Sequence, residues 1–155
     1  MATVRRFLLL QAFAVWQGGF VFYSAVVVPV GTDVLGSAAL QGEVTRPVTD
    51  WLNRLGAVWA ALFLWDLLAD PDPNPPRRRL RWAGWLLAVG LLAGLVLAHL
   101  RLDALIDPDG HRPDPAAFRR WHVAYLWGST AHWLLGLALG WLTLKAWAAP
   151  AGTRG

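Results

Sequence analysis

The chain has 155 residues, of which 56% are hydrophobic and only 15% charged, with 11 tryptophans and no cysteine. A soluble domain carries about 25% charged residues, so this balance argues against a water-soluble globule and for a membrane protein. Without cysteine there are no disulfides, zinc-thiolate sites or iron–sulfur clusters. The net charge of +4 comes from arginines set beside apolar segments, which fits anionic lipid headgroups and not nucleic acid.

Arg5 and Arg6 precede an apolar run over 7–30 that is about twice the length of a signal-peptide core and shows no convincing small-residue cleavage site. It reads as a first membrane-spanning helix, retained in the mature protein. Gln17 and Ser24 share one face of it, and Gly18 and Gly19 permit close approach of a neighbour. Residues 31–46, interrupted by Gly31, Gly36 and Gly42, read as a loop with a short helical turn after Ser37. Thr45 and Pro47 then supply a cap and an early helical proline for a second helix over 47–69. Asp66, near its end, reads as a carboxylate snorkelling to headgroup level.

The stretch DPDPNPPRRR over 70–79 is a short, stiff connection running into an arginine cluster. A third helix follows over 76–106, where Gly90, Gly94 and Ala98 form a stripe suited to close backbone approach. Residues 107–114, with Pro108, Gly110 and Pro113, are a turn that leaves His111 in solvent. Asp114 as cap and Pro115 as first residue open a fourth helix over 115–149, and Pro150 stops it. At about 100° per residue, His122, Tyr125, Ser129, His132, Gly136, Gly140 and Thr143 fall within roughly 80° of one another. Arg101 and Asp103 on one helix, and Arg119 and Arg120 on the next, imply that the third and fourth helices project past the hydrocarbon as a hairpin with ion pairs between them.

These elements add up to a single all-α domain over 1–155, a four-helix transmembrane bundle of up-down-up-down topology whose third and fourth helices extend beyond the bilayer on the outer side. With both termini cytoplasmic, eight Arg and Lys side chains lie inside, including the dense Arg77–Arg81 cluster and Arg154, against six outside. The expected location is a bacterial inner membrane.

Three stretches, VWQGGFVFYSAVVVPV, GTDVLGSAALQGEVTRPVTDWLNRLG and FRRWHVAYLWGSTAHW, resemble a bacterial branch of the small four-span membrane proteins related to transmembrane protein 205. The resemblance implies a four-helix membrane bundle and carries no catalytic residues. A second likeness runs to membrane haem and copper proteins of the CopD-like family. Those open with a tryptophan and glycine motif and commonly place a histidine in the first helix, whereas the first histidine here is His99.

His132 falls near mid-membrane, where an ionisable residue is costly and needs a partner, for which Ser129, Gln17 and Ser24 are the candidates. An imidazole there serves as interhelical packing or takes a ligand, proton or haem role. His122, with Tyr125 and Arg119 a turn away on either side, would line an outer mouth. His99 and His122 share a similar depth and are the best pair for axial haem ligation or a metal site, with Arg101 or Arg119 for the haem propionates. No zincin motif, nucleophile elbow, P-loop or dinucleotide fingerprint is present. Three functions follow: a structural or accessory, ligand-binding bundle; a haem-binding redox protein using His99 and His122; or an oligomeric small-molecule or ion permease. The expected partners are anionic lipids at Arg77–Arg81 and either further copies of the chain or a larger membrane complex, with no nucleic acid.

Overall fold

Long apolar runs must satisfy their own backbone hydrogen bonds in a bilayer, and winding into helices does this. A computed structural model describes residues 1–107 and 110–149, and all regular structure among them is helical. Pro108, Pro150 and Arg154, read above as a turn residue, a helix stop and an inner charge, lie outside the described residues.

The first helix is longer than the 7–30 expected. Helix α1 (Ala2–Phe22) continues through a π-helical turn over Tyr23–Val27 into α2 (Val28–Leu35). Pro29 accounts for the wide turn: it has no N–H for the carbonyl of Ala25 and its ring crowds that carbonyl, so the chain winds more loosely just before it. The N–H of Val28 accordingly reaches back to the carbonyl of Tyr23. Gly36, at φ 58°, adopts the left-handed conformation that closes α2.

The loop expected over 31–46 is not there. After the short break at Gly36 and Ser37, α3 (Ala38–Ala69) runs straight through the predicted cap. Pro47 therefore lies inside a helix and not at its start, and Thr45 donates its hydroxyl to the carbonyl of Gly42. The Gln41 amide holds the turn by donating to the Val28 carbonyl at 3.3 Å. Helix α4 (Pro75–Asp103) is capped by Asn74, whose side chain accepts from the Arg77 N–H, and it ends before the expected 106. Helix α5 (Pro115–Trp147) begins as expected, with Asp114 accepting from the Ala117 N–H at 2.9 Å, and ends two residues short of 149.

Three of these rods, Ala2–Leu35, Leu40–Ala69 and Pro75–Asp103, are long and apolar enough to cross a membrane. Helix α5, richer in tryptophan, glycine and polar side chains, does not reach the same mean hydropathy. The starts of α1 and α4 meet the ends of α3 and α5, so successive rods alternate in direction. Helices α4 and α5 share the broadest interface, α1 packs chiefly on α3, and the α1–α5 seam is the thinnest.

The interior is partly polar and the exterior greasy. Arg5, Gln17, Asp66, Arg81, His132 and Thr143 are buried, while Leu86, Leu97, Trp127 and Trp141 are exposed. Water would penalise so much exposed apolar surface, and a bilayer rewards it. At the centre Trp16 stacks on Trp59 with ring centroids 4.6 Å apart, above Phe63 and Leu139. A second cluster, Leu95, Ala98, Leu102 and Tyr125, joins α4 to α5 at the other end. Gly84 lets these two helices meet, because a Cβ there would lie 2.6 Å from Leu139 Cδ2. The stripe expected to serve that purpose does not: Gly90 and Gly94 face open space, and only Ala98 is buried.

Candidate functional site

Asp66 and Asp70 stand four residues apart at the end of α3, on one face. Instead of snorkelling to headgroup level, Asp66 is 0% exposed. Arg5 Nε of α1 donates to its Oδ1 at 2.8 Å, and Arg81 Nη2 of α4 donates to its Oδ2 at 2.7 Å. The Trp147 indole of α5 donates to the same carboxylate at 3.2 Å. One side chain thus collects donors from the three other rods. Arg5 Nη2 and Arg6 Nη2 both reach Asp70 Oδ2 at 3.0 Å. Burying a charge is tolerable only with partners of this quality, and a carboxylate whose two oxygens are committed to three donors acts as a clamp.

The Arg77–Arg81 cluster divides accordingly. Arg81 is turned inward to Asp66, and Arg77 forms a bidentate pair with Asp72 at 2.6 and 2.8 Å. Arg78 and Arg79 are exposed. Burial pushes the Asp72 carboxyl up, but the Arg77 guanidinium and the Asn74 N–H outweigh it and hold the group below the usual carboxylate range.

Midway along the bundle, the polar stripe of α5 faces inward from Tyr125 to Thr143. His132 is 3% exposed and is held by aromatic faces, with ring centroids 4.7 Å from Trp16 and 6.3 Å from Trp59. Gly56 of α3 makes the room, since a Cβ there would meet His132 Cε1 at 3.4 Å. His132 Nε2 has no hydrogen-bond partner among the described residues. Gln17, an expected partner, donates instead to the carbonyl of Trp133 at 3.2 Å. Ser24 falls in the wide turn and is exposed, and Ser129 is half-buried.

At the opposite end from Asp66, Tyr125 is buried and donates to Asn53 Oδ1 at 3.4 Å. His99 lies 3.6 Å from Asp103 and beside the Tyr125 ring, whereas His122 is exposed and stacks on Phe118. The two histidines thus have separate neighbours. Among the described residues no group of three or more His, Cys, Asp or Glu is placed to hold a metal ion. Asp103 pairs at 3.2 Å with Arg46 of α3 and not with Arg119 or Arg120 of α5, since the α3 rod extends far enough to meet it. Arg101 and Arg119 are exposed, and His111 is in solvent as expected.

Along the thin α1–α5 seam an apolar groove of about 220 Å³ opens near the Asp66 end. Leu9, Leu10 and Phe13 form one wall, Leu137, Trp141 and Leu144 the other, with Trp59 and Phe63 at its floor and Trp147 at its end.

No family model, no characterised protein and no solved structure matches this chain.

The clamp and the groove were not singled out by sequence reasoning, and the clamp had a signal. Arginines open the first and third predicted helices and aspartates close the second. In any alternating bundle those three ends share one side.

Proposed function

We propose that this chain is a four-span integral membrane protein serving as a structural or accessory, ligand-binding bundle, with both termini on the cytoplasmic face of a bacterial inner membrane. The observation that carries this reading is Asp66, held at the junction of all four rods by Arg5, Arg81 and Trp147. A transport pathway needs polar groups that exchange partners, and this network is closed on itself. That Trp147 ends α5 beside the end of α3 and the starts of α1 and α4 supports a fourth crossing by α5, although its mean hydropathy is lower. Its inward polar stripe explains that lower value, since only its outward face meets lipid. The resemblance to relatives of transmembrane protein 205 supports the same architecture.

Purified protein reconstituted in vesicles provides the test, with proton and cation flux followed by entrapped dyes and orientation by reporters fused to each terminus. The reading expects no flux above protein-free vesicles and cytoplasmic signals from both ends. Flux abolished by His132→Leu would establish a permease, and a Soret band lost in His122→Ala would establish a haem protein.

A further inference from the structure

We infer that the α1–α5 groove is a binding site for an anionic phospholipid, one acyl chain lying along the seam and the headgroup held by Arg6 and Lys145. This deepens the bundle reading and rests on it, because the seam must face the bilayer. The groove runs along α5 from Leu137 to Trp147, about 15 Å at 1.5 Å per residue, and its walls are leucine and aromatic side chains. That is the shape and chemistry of an alkyl chain. What distinguishes this groove from any other greasy surface is its charged end. The two tryptophans nearest that end each carry a cation: Arg6 Cζ sits 5.2 Å from the Trp147 ring and Lys145 Nζ 5.0 Å from the Trp141 ring.

The balance of charge there also favours an anion. Arg5, Arg6, Arg81 and Lys145 stand against Asp66 and Asp70, and the clamp absorbs Arg5 and Arg81. Arg6 shares Asp70 with Arg5, and its Nε has no hydrogen-bond partner among the described residues. Lys145 is exposed and makes no ion pair among them. A phosphodiester would reach the exposed Lys145 ammonium and the outer edge of the Arg6 guanidinium, whose side chain is 36% exposed although its Nε is buried, while its chain fills the seam. In the proposed orientation this end lies in the cytoplasmic leaflet, where anionic lipids attract juxtamembrane cations.

The experiment is native mass spectrometry of the full chain in mild detergent, titrated with phosphatidylglycerol and with phosphatidylcholine of the same acyl composition. Two cations near the headgroup give a preference for phosphatidylglycerol on the order of twentyfold. Arg6→Gln with Lys145→Gln should bring that preference close to one. Lys145→Gln alone, which breaks no ion pair, should lower it about fivefold and covers the case in which the double variant fails to fold. Leu144→Trp, at an exposed position on the wall, should reduce retained phosphatidylglycerol while leaving helicity and the lipid-free melting temperature unchanged. Equal retention of both lipids overturns the site, as does a preference that survives both lysine variants. A preference lost only in Arg78→Gln with Arg79→Gln moves the headgroup to the start of α4 and likewise overturns it, as does a dimer that Leu144→Trp dissociates. Each of these results leaves the absence of flux, and with it the bundle reading, standing.

Discussion

Arg81 Nη2 donates to Asp66 Oδ2 at 2.7 Å, with the side chains 1% and 0% exposed. Asp66 stands in the last turn of α3, the helix end that the backbone dipole disfavours for a carboxylate, and the buried guanidinium offsets that penalty. Removing one partner strands a buried charge. Asp66→Asn should therefore destabilise the detergent-purified protein by about 3–5 kcal/mol, read from thermal or denaturant melts. The triple variant Arg5→Met, Asp66→Leu, Arg81→Met should recover most of that loss, because apolar replacement of a whole buried network is often neutral. A triple variant no more stable than Asp66→Asn would show that the charges have a role beyond the clamp.

His132 is a ring among rings with one unmet nitrogen. His132→Phe keeps the aromatic packing and removes the unpartnered group, so stability should hold or rise by about 1 kcal/mol. His132→Ala opens a cavity beside Trp16 and should cost about 3 kcal/mol. Melting curves of the two variants separate packing from polarity.

Gly136 marks the closest approach of α1 to α5: a Cβ there would collide with the Gln17 amide and come within 2.6 Å of Trp16 Cζ3. Gly136→Ala should displace Gln17 from the Trp133 carbonyl and cost about 1–3 kcal/mol. Gly90→Ala meets nothing within 4 Å and should be neutral or stabilising by up to about 1 kcal/mol through helix propensity. Equal effects at both positions would contradict this packing.

Asp72, in the connection before α4, sets an acid limit. Its folded pKa is lowered by Arg77 and the Asn74 N–H despite burial. The stabilising contribution is thus complete above the unfolded carboxyl value of about 3.9 and is lost as pH falls through the lower folded value. Asp72→Asn should melt below the wild type at neutral pH, and the gap should close progressively below about pH 3.9. A gap that does not change with pH would mean that the pairing with Arg77 contributes nothing.

Much of the architecture was legible along the chain, because the signals are local. Apolar length marked the rods, Asp114 and Pro115 marked the start of α5, and the spacing from His122 to Thr143 marked a polar stripe that turns inward from Tyr125 on, with His122 left exposed. The signals that misled were local too. Gly31, Gly36 and Gly42 read as a loop and Pro47 as the start of a helix, yet only the turn at Gly36 and Ser37 breaks the helix, since the packed rods keep the rest wound. The Gly90 and Gly94 stripe read as an interface, yet it faces outward because Gly84 and Gly128 are the glycines that meet α5 or α4 side chains.

Composition and periodicity by themselves determined that the described residues form helical rods, three of them long and apolar enough to cross a membrane, because both depend on how residues behave within one helix. Where the charges go was decided only in three dimensions. Arg5, Asp66, Arg81 and Trp147 come from four different helices, and no pattern within any one helix points to their meeting. Only the alternating arrangement of the rods brings their ends together, closes the Asp66 clamp, and leaves Arg6 and Lys145 beside an open seam.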